Sequence, residues 1–198
     1  MAVQLRGGFA TGWIVLTTSV IAALLFVACS TGSSGSASAP SSTAGSVTTT
    51  SLPDVAPTAA DFVNINTMTR VGDHFVGSLN GHLDAVLAVA RKPKGGVYPV
   101  GTVMQLIPTE AMVKRHKGYS AATGDWQFFA LKVSPRGTRI VSSGARVKNF
   151  FGGDCSSCHR AAASRFDFVC EKNHGCAPLG VSDAFIARIQ AGDPRPKH

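Results

Sequence analysis

Two thiols three positions apart with an imidazole directly after them constrain this chain more than any other stretch: Cys155-Ser156-Ser157-Cys158-His159. On one helical turn both sulfurs reach the two vinyl groups of a single porphyrin. The next residue then brings its Nε2 under the iron, so the spacing is that of a c-type haem attachment sequence. Cys155 and Cys158 would form the thioethers, one haem per chain, and His159 would be the proximal iron ligand. Two other chemistries stay open. Cys155, Cys158, Cys170 and Cys176 also read as C-x2-C-x11-C-x5-C, a spacing that four-cysteine zinc tolerates. A redox dithiol is the other, although no thioredoxin-like βαβ pattern surrounds the pair.

The N-terminus bears on that choice. Arg6 precedes an apolar run over residues 13–28, broken only by Thr17, Thr18 and Ser19 and ending in small residues before Cys29. Such a pattern predicts an export signal over residues 1–29, and the run is short for a membrane span. Phe26-Val27-Ala28-Cys29 resembles the lipobox of bacterial lipoproteins, with Phe26 where Leu is usual, which makes Cys29 the lipid attachment point. The alternative is ordinary secretion into the periplasm or medium. Exported thiols meet an oxidising environment, where four free cysteines do not persist. Haem attachment to c-type cytochromes also takes place outside the cytoplasmic membrane, so export favours haem over zinc.

Residues 30–57 are almost wholly Ser, Thr, Gly, Ala, Val and Pro, with Asp54 the only charge. They predict a disordered linker, whose roughly 27 residues would span about 30 Å as a flexible coil. Residues 58–198 are one domain's worth of chain and contain no internal repeat. The net charge of +8 includes small clusters at Arg91-Lys92-Lys94 and Lys114-Arg115-His116-Lys117, read as a solvated face. Anionic lipid or an acidic redox partner are the next options, and nucleic acid is not expected for an exported chain.

The domain reads as α+β: mainly antiparallel sheet with a few short helices. Residues 61–77 hold short β-prone pieces. Residues 80–91 carry apolar positions at helical spacing, with Asn80 as cap and Pro93 and Gly95-Gly96 as the stop. Residues 100–107 predict a strand with Thr102, Met104 and Leu106 on one face and Val103, Gln105 and Ile107 on the other. Residues 110–115 fit strand or helix equally. Residues 126–133 are the strongest strand, apolar on both faces and therefore central in its sheet. Ser134-Pro135-Arg136-Gly137 fits a type I turn, with residues 138–141 returning as hairpin partner. Gly152-Gly153 allows a close backbone approach to the porphyrin. A helix over 155–163 carries the motif, and a last helix runs from a Ser182 cap to Gln190 with Phe185, Ile186 and Ile189 as its apolar stripe.

If haem takes Cys155 and Cys158, then Cys170 and Cys176 remain for a disulfide and Cys29 is the odd cysteine. Closing so small a loop contributes about 2 kcal/mol in the chain-entropy model.

Four pieces then follow in order: Gly101-Thr102-Val103, Gly124-Asp125-Trp126-Gln127-Phe128-Phe129, the Cys155–His159 motif, and Asp167-Phe168-Val169. Together they resemble the pattern of the cytochrome P-460 and cytochrome c′-beta family, over roughly residues 98–170. The resemblance implies a mainly antiparallel β fold, often a homodimer, with five-coordinate haem and a pocket for small nitrogenous ligands. Members with the P-460 haem oxidise hydroxylamine and carry a lysine cross-linked to the porphyrin, at a position that matches Leu106 here. Without that lysine the chain looks nearer the c′-beta branch, which binds nitric oxide or carbon monoxide in an apolar distal pocket. Leu106, Met104 and Phe128 would line the haem site.

Three function classes follow. The first is a membrane-tethered monohaem cytochrome that binds or processes nitric oxide or a related gaseous or nitrogenous ligand. The second is a six-coordinate electron carrier, with Met68, Met104, Met112 or one of His74, His82, His116 and His174 as sixth ligand; core packing or a satisfied histidine is the ordinary role of each. The third is a non-redox zinc-binding lipoprotein. Glu110 fits either a distal carboxylate that moves protons or, more simply, a solvated surface charge.

Overall fold

The computed structural model describes residues 52–197; the expected export signal over residues 1–29 with Cys29, and residues 30–51 of the expected linker, lie outside them. Six strands form one antiparallel sheet in chain order: β1 (Thr69–Val71), β2 (His74–Ser78), β3 (Thr102–Gln105), β4 (Glu110–Lys114), β5 (Trp126–Ser134) and β6 (Gly137–Gly144). Among the described residues three short helices complete the α+β architecture: α1 (Leu83–Ala90), α2 (Cys155–His159) and α3 (Asp183–Ala191), with single 3₁₀ turns between elements. Among the described residues no helix is long and apolar enough to cross a membrane.

Strand alternation divides the core in two. Met104, Met112, Trp126 and Phe128 point to one face, where Val86 of α1, Tyr98, Val147, Cys155 and Val169 pack on them. Val103, Ala111, Val113, Phe129 and Leu131 point to the other, under Phe62 and with Val55, Met68 and Ile140 at the margin. The pairs Met104↔Met112 and Met112↔Phe128 set the register, so three consecutive strands present large side chains side by side on the first face. Trp126, Phe128 and Phe129 are fully buried, which accounts for the apolar character of both faces of β5.

Several expectations are met and several are revised. Residues 110–114 are strand. The strand β5 is flanked by β4 and β6, one place in from the edge rather than at the middle. The strand over 100–107 is shorter than the alternation predicts and ends at Gln105, so Leu106 falls in the following bend. Asn80 does not cap α1: its amide donates to the Pro53 and Val100 carbonyls, while His82 takes the cap position. Ser182 does cap α3, accepting from the Phe185 amide, but Phe185 is exposed and Gln190 is buried in its place, donating to the Asp73 and Leu106 carbonyls. Residues 52–57 follow the domain surface, where the Asp54 carboxylate pairs with Arg115 at 2.7 Å. At the C-terminus Asp193 and Arg195 form a buried pair at 2.6 Å, and Arg195 also donates to the Phe62 carbonyl, which ties the end of the chain to its first turn.

Candidate functional site

The motif sits on its own short helix, positioned by what precedes it. Gly152 turns the chain with φ +86°, and Lys148 pairs with Asp154 across that turn. Asp154 then caps α2: its carboxylate accepts from the Ser157 amide at 3.1 Å and from the Ser156 hydroxyl at 2.7 Å. The helix so capped carries Cys155, Cys158 and His159 within its five residues.

Their environments differ. Cys155 is buried in the first-face core with Phe128, Met104 and Met112, whereas Cys158 is exposed, and neither is in a disulfide. Burial pushes the Cys155 thiol up to about 12, with the Glu110 carboxylate adding to the effect. A redox dithiol works through an accessible thiolate, and Cys155 is the opposite. His159 rests against Phe128, ring centroids 5.0 Å apart. Its Nδ1 is 2.7 Å from the Phe168 carbonyl, which can only accept, so Nδ1 carries the proton and Nε2 presents a lone pair. Burial pushes the imidazole pKa down and keeps the ring neutral. Two thiols on one turn and a neutral histidine with its tautomer fixed are the donor set that a covalent haem needs.

Cys170 and Cys176 form a disulfide with Cα atoms 5.6 Å apart. That pairing removes two of the four thiolates a zinc site over this spacing would use. The loop it closes lies against the motif: Cys170 Sγ is 3.5 Å from the Cys158 carbonyl, and the Ala163 amide donates to the His174 carbonyl at 2.7 Å. The His174 ring stacks on Phe166 at 3.6 Å, while His74 reaches Glu171 at 3.4 Å, so both histidines have structural partners.

Of the residues expected to line the haem site, Phe128 and Met104 share the buried cluster that holds Cys155; half-buried Leu106 lies outside it. Glu110 is half-buried rather than a fully solvated charge. It lies on β4, on the face of Met112; its carboxylate accepts from the Phe150 amide, and burial pushes its pKa up. A groove of about 300 Å³ bounded by residues 90–93 and 171–174 is lined by none of the motif residues.

The charged cluster 114–117 is also less solvated than the sequence predicts. Lys114 is 6% exposed and binds both carboxylate oxygens of Asp167 at 2.6 and 2.7 Å. Alternation holds the signal for this: Lys114 shares the inward face with Met112. Burial raises the Asp167 carboxyl, opposed by the Lys114 ammonium and the Tyr98 amide. No family model, no curated protein and no solved structure matches the chain.

Proposed function

We propose that the protein is an exported, membrane-tethered monohaem c-type cytochrome of the cytochrome P-460 and c′-beta kind, which binds nitric oxide or a related small ligand. The observation that carries this is the motif helix: Cys155 and Cys158 on one turn, and His159 with Nδ1 engaged and Nε2 free. Cys155 and Cys158 would hold the haem and His159 its iron. When bound, the haem supplies an iron that coordinates small diatomic or nitrogenous molecules. The chain's part is to fix the His159 ring between Phe128 and the Phe168 carbonyl, to exclude water with Met104, Met112 and Phe128, and to offer no ammonium at position 106. An apolar surround admits an uncharged ligand and withholds the donors that activate it.

A second reading has an observation of its own. Met104 and Met112 pack in the same cluster as Cys155, so either thioether is a candidate sixth ligand, which would make the protein an electron carrier. Absorption spectra of the ferric and ferrous protein, before and after nitric oxide, separate the two. High-spin five-coordinate haem that takes up nitric oxide supports the first reading. Low-spin haem that loses its sixth ligand on Met104→Ala or Met112→Ala supports the second, and lack of a Soret band rejects both.

A further inference from the structure

Asp167 and Phe168 both have positive φ, 50° and 65°, a conformation that residues with a Cβ avoid, bulky ones most of all. Three contacts impose it. Lys114 Nζ is 2.6 and 2.7 Å from the two Asp167 carboxylate oxygens, the Tyr98 amide donates to the same carboxylate at 2.8 Å, and the Trp126 indole donates to the Asp167 carbonyl at 2.7 Å. Lys114 is itself directed by the Gly124 carbonyl at 2.7 Å and lies over the Trp126 ring at 5.2 Å. Gly124 also makes room: a Cβ there would meet the Phe168 ring at 2.5 Å.

As a stability device this is a poor choice. A buried ion pair loses hydration that its own attraction does not reliably return, and an apolar pair between β4 and this turn would fill the core as well. What the arrangement does that an apolar pair would not is fix a left-handed turn whose next carbonyl faces His159 Nδ1 at 2.7 Å.

We propose that Lys114, Asp167 and Trp126 are positioning residues for His159: through the 167–168 turn they hold the Phe168 carbonyl on Nδ1 and so set the donor strength of Nε2. The proposal rests on the haem reading above. A firm hydrogen bond at Nδ1 makes the opposite nitrogen a stronger donor, and axial-ligand donation is a main determinant of haem potential. Loosening the clamp therefore weakens the iron–histidine bond and disfavours ferric haem.

The test uses the full-length haem-loaded protein with Asp167→Asn and Trp126→Phe. Asn removes the charge yet still tolerates positive φ, while Phe removes the indole donor together with the pyrrole-ring volume of a fully buried side chain, a packing loss that the control below accounts for. Phe129→Leu, on the opposite sheet face, is the control for general destabilisation. Resonance Raman of the ferrous protein should show the iron–histidine stretching band shifted down in both clamp variants. Their reduction potentials should rise, while Phe129→Leu keeps the unsubstituted values at a similar loss of thermal stability. If one clamp variant fails to fold, the other reads the same quantity. Clamp variants with an unshifted band and potential overturn the proposal and leave the haem reading standing. Unsubstituted protein with no haem spectrum overturns both.

Discussion

Cys170→Ser combined with Cys176→Ser removes a cross-link whose worth can be worked from the chain. The two sulfurs close a sequence separation of 6, for which loop-closure entropy gives about 2 kcal/mol at 25 °C. Native-state contacts then decide whether that value is realised. The folded loop has its own tethers: the Ala163 amide on the His174 carbonyl at 2.7 Å, the His174 ring on Phe166 at 3.6 Å, and His174 Nδ1 on the Val169 carbonyl at 2.8 Å. The loop should therefore keep its shape without the bond, and the loss should arise in the unfolded chain. The expected result is a fall of about 2 kcal/mol in urea unfolding followed by far-UV circular dichroism, equivalent to about 4–8 °C in Tm for a domain of this size. The m-value should rise slightly, because the uncross-linked denatured chain exposes more surface. A loss below about 0.5 kcal/mol would refute the entropic argument. So would a loss above about 4 kcal/mol accompanied by a changed near-UV spectrum, which would mean that the bond holds the fold around α2 directly.

Gly124→Ala should lower stability by at least about 1 kcal/mol in the same assay, because φ is +58° there and the new methyl meets the Phe168 ring; unchanged stability would show that the turn at 167–168 shifts freely. Asp54 should titrate near pH 2, held there chiefly by the hydrogen-bonded Arg115 guanidinium. Its folded pKa lies below the ordinary value, so the stabilising contact is complete above about pH 4 and is lost as pH falls through 2. A carboxyl NMR titration with its midpoint near 4 would show that residues 52–57 do not dock through this pair.

The sheet was legible because alternation is a local signal. Residues 126–133 are apolar on both faces, and Phe128 and Phe129 indeed face different core clusters. A helix at the motif was legible from the spacing of its thiols and imidazole, although it spans Cys155–His159 rather than 155–163, and the Cys170–Cys176 bond was legible from counting thiols. What the sequence hid was long-range pairing. Nothing near Lys114 announces Asp167, which is 53 residues away, and Asp54 meets Arg115 across 61. The sequence therefore predicts solvated charges where tertiary contacts pair them, and in Lys114 bury them. Asn80 has the chemistry of a helix cap, but its amide is drawn off by two loop carbonyls, so local propensity gave way to the tertiary fold. Leu106 left its predicted face because β3 ends at Gln105, two residues before its apolar pattern does.

Covalent attachment at the motif tests the central claim most directly. Full-length protein expressed in a bacterium that matures c-type cytochromes can be digested and the peptide spanning 155–159 analysed by mass spectrometry after acid–acetone extraction. The expected peptide carries one haem through thioethers at both Cys155 and Cys158, is free of any segment from 101–107, and loses the haem in the doubly Ala-substituted chain. A peptide with unmodified thiols, or with Cys155 and Cys158 joined to each other, would contradict the account.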